Sequence, residues 1–266
     1  MSSKKKARII LYSIEEALFG TILILALLTI SGIANVWDMA EAKLMVVATL
    51  TAMCLLPLVP LVEKILKVDF SIIVDIFICV DVCLSVLLGE AFNFYYDVPN
   101  WDKILHFFGT AQIAFLGFLL ATFFLRKTNT GTHQLLFAAI FGFFFAIAIE
   151  SLWEVYEFTM DTLTGSNMQK YMPESFLQYI DENGNWIGDE ATLIEFYSSQ
   201  AGRQYAVHDT MWDIIVDSLG SAAGISVALL ITYQKPEWAT RFLMSHQEAI
   251  ALEAAENEDT LSADEH

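Results

Sequence analysis

Six stretches of mostly apolar residues, near 17–36, 44–62, 70–89, 104–125, 134–153 and 214–233, alternate with more polar connections. Each approaches the ~20 residues that a helix needs to cross ~30 Å of hydrocarbon. The pattern predicts an all-α bundle of about six membrane-spanning helices. The first stretch is longer than the apolar centre of a signal peptide. Its small-residue end at Ser31 to Ala34 is a weak cleavage pattern, so it reads as a span that stays. Pro57 and Pro60 fall late in the second stretch and predict a kink there.

Basic residues in the connections set the expected orientation. Lys4 to Arg8, Lys64 and Lys67, Arg126 and Lys127, and Lys235 and Arg241 all fall on one side if the spans are six. The N- and C-termini are therefore expected to be cytoplasmic. This divides the chain into a transmembrane domain over 1–235 and an acidic cytoplasmic tail over 236–266, where Glu253, Glu256, Glu258 and Asp259 form a solvated end. The connection over 161–207 is too long for a bare turn. Its aromatics, among them Tyr171, Phe176, Tyr179, Trp186 and Tyr197, predict a packed lid or a segment in the headgroup layer, with a short surface helix over 189–200.

Composition agrees with this picture and narrows the functions. Of 266 residues, 56% are hydrophobic and only 17% charged, which is too apolar for one soluble domain. The net charge of -18 excludes nucleic acid as a partner, because no basic surface can neutralise phosphates. The lipid bilayer is the expected partner and the plasma membrane the expected location; composition fixes no oligomeric state. Cys54, Cys79 and Cys83 all lie in apolar stretches and read as small core residues.

The polar residues inside these stretches collect at one end. The fourth helix begins Trp101-Asp102-Lys103-Ile-Leu-His106. The fifth ends through Glu150, Glu154 and Glu157, spaced as one helical stripe. The sixth begins with Asp209, Asp213 and Asp217, again on one stripe. The third leaves through Glu90, Asn93 and Asp97. All four ends belong to the outer side. His106, Glu150 and Asp217 lie deepest, where an unpaired charge costs several kcal/mol and an ionisable group is a functional candidate by default (order of magnitude). They are expected to converge, with Asp102, Glu154 and Asp213 as their nearest polar partners. Plainer roles exist as well. Asp102 and Asp209 can cap their helices, and Glu154 and Glu157 can sit in the wet headgroup layer. Trp101, Trp153 and Trp212 fit an interfacial belt. Lys103 is expected to be a rim charge of little consequence, and Asp75 and Asp81 to lie apart from this end.

Crowded carboxylates in a low-dielectric place cannot all ionise unless a cation or shared protons relieve them. Carboxylate oxygens with a His nitrogen suit Zn, Mn or Fe, and oxygens alone suit Mg or Ca. A divalent metal held by Asp102, His106, Glu150, Glu154, Asp209, Asp213 or Asp217 could activate water against a lipid or lipid-linked headgroup. Without metal, His106, Glu150 and Asp217 could work as an acid–base site. A cation or proton transporter, and a binding or assembly protein, remain open alternatives.

The blocks W-D-K-I-L-H-F, E-S-L-W-E-V-Y-E-F and D-T-M-W-D-I-I-V-D-S-L-G occur in this order over roughly residues 90 to 233. As a set they resemble the YjdF-like family of multi-pass membrane proteins, and the first block also resembles the opening of VanZ-like proteins. The resemblance implies a helical membrane fold with polar positions at Asp102, His106, Glu150, Glu154, Asp209 and Asp213. It supplies no reaction.

Overall fold

A computed structural model describes residues 3–55, 57–126, 132–164, 167–181, 185–234, 242–245, 247–251 and 254–255. Most of the acidic tail lies outside these residues, as do Lys127, Lys235, Arg241 and His246.

Among the described residues six helical segments are long and apolar enough to cross a membrane: 4–30, 41–66, 72–91, 101–125, 133–163 and 207–234. The elements are α1 (Ser3–Ile30), α2 (Met39–Leu55), α3 (Leu58–Leu66), β1 (Val68–Phe70), α4 (Ile72–Val82), α5 (Phe94–Asp97), α6 (Trp101–Leu125), α7 (Thr132–Thr164), α8 (Glu174–Leu177), α9 (Glu190–Ser198), α10 (Gln200–Arg203), α11 (Tyr205–Gln234) and β2 (Leu243–Ser245). Pro57 separates α2 from α3, because proline supplies no N–H to the preceding turn. The third span changes from α-helix to a π-helix over Cys83–Ala91, so its second half is wider than an ordinary helix.

Several limits differ from those the apolar runs predict. The first helix begins at Ser3 and stops at Ile30, not 17–36, because its lysine-rich start is itself helical and Gly32 adopts φ 73° just past its end. The fifth runs to Thr164, not 153, and the sixth starts at Tyr205, not 214. At 1.5 Å per residue, α7 is about 50 Å long and projects past ~30 Å of hydrocarbon. The connection between α7 and α11 therefore covers 165–204 rather than 161–207, and α9 supplies the surface helix expected over 189–200. A small antiparallel ladder, β1 with β2, adds to the expected helices. Cys79 is buried, but Cys54 is exposed on the bundle's outside and is not a core residue.

The ladder fixes which ends of the spans lie together. It joins the α3–α4 connection to the segment after α11, where Phe242 packs edge-on against Phe115 of α6. Arg126, at the end of α6, bonds Glu248 at 2.8 Å and holds its carboxyl down to about 2. Lys4 and Arg8 of α1 bond Glu63 in the same region. This is the basic face. At the opposite face Lys103, beginning α6, bonds Asp209, beginning α11.

The helices α6, α7 and α11 pack on one another as the central unit. Each turns a buried stripe inward that is polar toward the loop face and apolar beyond it. On α6 the stripe is His106, Thr110, Ala114, Phe118; on α7 it is Glu157, Glu154, Glu150, Ala146; on α11 it is Asp213, Asp217, Ser221, Ile225, Ala228. Gly220 and Gly224 set the distance between α11 and α6. A Cβ on Gly220 would collide with the Phe107 carbonyl, and one on Gly224 with that of Ala111. Two helix backbones meet there as closely as small residues allow. Gly220→Leu is expected to lower stability by about 1–3 kcal/mol through overpacking and to draw Asp217 away from His106. Thermal unfolding in lipid nanodiscs checks this, and an unchanged midpoint would show that the helices are not held by this contact.

Candidate functional site

The loop-face ends of α6, α7 and α11 bring their acids to one imidazole. His106 Nδ1 lies 3.2 Å from Asp217 Oδ1 and 4.0 Å from Glu150 Oε2. On the other side of the ring, Nε2 lies 3.6 Å from Asp213 Oδ1 and 3.7 Å from Asp102 Oδ1. His106, Asp213 and Asp217 are nearly inaccessible to solvent. Among the described residues two sets of three could hold a metal ion, and both include His106: Asp102, His106 and Asp213, and His106, Glu150 and Asp217, the donor atoms within each lying no more than 4.8 Å apart. Thr110, one turn below the imidazole, donates to Asp217 Oδ1 at 2.7 Å. Asp217 Oδ2 is buried without a hydrogen-bond partner, as are both oxygens of Glu154. Glu154 faces the same space, beside Thr210, Asp213 and His106.

Lys103 is not the rim charge that its sequence position suggests. Its Nζ lies 2.9 Å from Asp102, 2.7 Å from Asp209 and 2.5 Å from Asp213. It is the ammonium that lets three carboxylates gather at the mouth of the site. Asp102 and Asp209 are its ion-pair partners and do not cap their helices: Asn100 precedes α6, and α11 begins four residues before Asp209. Lys170 reaches in from the α7–α11 connection to Asp102 at 3.3 Å, with its backbone in the left-handed region at φ 45°. Asp161 holds this stretch by accepting from the backbone N–H groups of Met168 and Gln169. The connection is thus a strap across the site, and Tyr197 on α9 ties to it through the Tyr171 carbonyl.

A cleft that shares Asp102 with this cluster opens on the loop face. Glu90, Tyr95, Asp102, Glu157, Asn167 and Lys170 line it. Glu157 is buried and accepts from Trp153 Nε1 at 2.9 Å, so it belongs to the interior and not to the headgroup layer. Asn93, Asp97 and His208 are exposed; His208 meets Trp212 instead. Asp81 sits apart and accepts from Gln112 of α6 at 2.9 Å. Sequence reasoning undervalued Lys103 and Lys170. Their signal was present: few basic residues occur in the outer segments, and a lysine among so many acids is more stable paired than alone.

Residues 17–236 match the family described as "Predicted membrane protein (DUF2238)". An "Uncharacterized protein" of Thermotoga maritima is 34% identical over 100 residues, which are 37% of this chain and 50% of that protein. The chain thus spans about half the length of that relative. No solved structure matches. The VanZ likeness of the first block finds no support in these comparisons. The six apolar helices, the acids gathered at their loop-face ends and a match over most of its length agree: the chain belongs to the predicted membrane protein family DUF2238.

Proposed function

We propose that His106, Glu150 and Asp217 hold a divalent cation at the outer boundary of the cell membrane, and that the site so formed serves the hydrolysis of a lipid or lipid-linked headgroup. The observation that carries the reading is the set of buried oxygens with nothing bonded to them, Asp217 Oδ2 and both of Glu154, around a histidine nitrogen. Buried carboxylates left so are costly, and a cation is the partner their chemistry asks for. One nitrogen with several carboxylate oxygens suits Zn, Mn or Fe best. The inner set is the better one for a metal, because Lys103 already neutralises the mouth. A metal on Nδ1 leaves Nε2–H directed at Asp102 and Asp213, which orient the ring as outer-shell carboxylates do. Such an ion lowers the pKa of a bound water and polarises a phosphoryl or acyl oxygen. Glu154, which faces the same space, is the carboxylate that would take the proton from such a water.

The same acids would serve a cation transporter. Against that, the three stripes close below Thr110 with Ala114, Phe118, Ala146 and Ile225, which leaves the central site open at one end. The three blocks read as YjdF-like in this same region, with no reaction attached.

The test is to purify the protein without chelator, measure its metals, and assay a panel of phospholipids and lipid phosphates in mixed micelles with and without the metal found. Hydrolysis that chelator stops and metal restores supports the reading. Absence of any metal near one per chain overturns it.

The orientation belongs to the same proposal: the basic face is cytoplasmic, and the strap and cleft are outside. With Cys54, Cys79 and Cys83 replaced, Glu195→Cys on α9 is expected to react with an impermeant maleimide on intact cells, and Lys64→Cys on α3 only after lysis. The reverse pattern would turn the site to the cytoplasm.

A further inference from the structure

A second line of ionisable groups runs inward from the basic face, along a stripe of α1. Lys4, Arg8, Tyr12 and Glu15 follow the spacing of one helix face. Lys4 bonds Glu63 and Asp69, Arg8 bonds Glu63 and Asp75, and the Tyr12 hydroxyl donates to Asp75 at 2.5 Å. Asp75 is 1% exposed and Glu15 is 3% exposed. At 1.5 Å per residue the stripe reaches about 16 Å from Lys4 to Glu15, roughly half of the hydrocarbon layer. Beyond Glu15 the same face carries the apolar Phe19, Ile22 and Ala26 before the buried Thr29.

Glu15 is the odd member. Every charged group before it on the stripe has an opposite charge against it, but both Glu15 oxygens are buried with no hydrogen-bond partner. The titratable groups that face it are the Cys79 thiol and Cys83 on the third span and Glu16 on its own helix; Asp75 lies one turn from Cys79. From α2 the buried residues turned to this interior are Met45, Thr49 and Ala52, which carry no charge. No cation faces the carboxyl among the described residues. Glu15, Cys79 and Cys83 do not come close enough together to share a metal ion; among the described residues the groups that do are the two at His106.

We propose that Glu15 is a proton-binding site in the inner half of the membrane, exchanging its proton with the basic-face side along Tyr12 and Asp75. The carboxyl releases one proton to water and takes one back, and no bond to carbon changes. The outer site plays no part in this step, so the proposal stands or falls separately from the hydrolase reading. It gives the protein a proton-responsive element that is reached from the face opposite the cleft.

Infrared difference spectroscopy on the full chain in lipid nanodiscs tests it. Wild type minus Glu15→Gln is expected to show a protonated-carboxyl C=O band, and that band should shift when the water is replaced by heavy water. Glu15→Gln keeps the size and polarity of the side chain, and Glu15→Asp should restore a band at a moved frequency. Tyr12→Phe, which keeps the ring and removes only the hydroxyl, is expected to slow the isotope shift at least about tenfold. Absence of the band means that the carboxylate is ionised and overturns the site. A band that never shifts in heavy water overturns the exchange, and an unaltered rate in Tyr12→Phe overturns the route.

Discussion

Replacing Lys103 with Met is expected to destabilise the protein by about 3–5 kcal/mol, the range for removing one partner of a buried ion pair. Met keeps the length and removes the charge. Three carboxylates, Asp102, Asp209 and Asp213, then face one another at the mouth with only Lys170 left to meet Asp102, and Asp213 is almost fully buried. They must take up protons or move apart, and either change loosens the start of α6 from the start of α11. Unfolding midpoints in nanodiscs measure the effect, which should be on the order of 10 °C for a domain of this size. Lys103→Arg retains the charge and should recover most of the loss. Equal midpoints for Lys103→Met and wild type would mean that the acids are relieved by something other than this ammonium, and a metal at Asp102 and Asp213 would become the better account.

His106→Ala is expected to carry the largest functional effect. In the proposed site it removes the one nitrogen donor, and metal content should fall from near one per chain to background. Hydrolysis should fall with it, by at least about 10²-fold, since the metal supplies both the nucleophile and the charge stabilisation. Asp213→Asn makes the finer distinction. It leaves every inner donor in place and removes a carboxylate that orients the ring, so metal affinity should drop about 10- to 100-fold without being abolished. Elemental analysis across a series of free-metal concentrations separates the two variants. Full metal occupancy in His106→Ala would remove the imidazole from the ligand set. Occupancy unchanged in Asp213→Asn would leave Nε2 without the orienting role given to it.

Much of this arrangement is visible in the bare chain, for a reason particular to membranes. In water a polar residue on a helix is unremarkable. In hydrocarbon each one must find a partner, so their positions along the apolar runs carry information. Helical spacing places His106 with Asp102, Glu150 with Glu154, and Asp213 with Asp217 on single faces. Alternation of six spans puts all of them at one end. The depth at which Asp217 enters the membrane further implies a neighbouring helix against it. Local order of this kind depends only on residues a few positions apart.

Contacts between distant segments are decided otherwise. Nothing local to Lys103 distinguishes a rim charge from the centre of a three-acid cluster. Its role comes from α11 arriving beside α6, at the distance that Gly220 and Gly224 permit. The same holds for Lys170, which a left-handed turn in the strap directs onto Asp102. The helix ends also moved, because apolar runs mark where lipid begins and not where backbone hydrogen bonding stops: α7 and α11 continue into the aqueous layer on their own propagating bonds. Glu15 shows the limit from the other direction. The sequence places it just before the first apolar stretch, as an unremarkable acid near the membrane edge. Only once the charged start of α1 is drawn into the bundle by Glu63 and Asp75 does Glu15 lie deep inside, because burying Lys4 and Arg8 against those carboxylates is what allows the helix to sit so low.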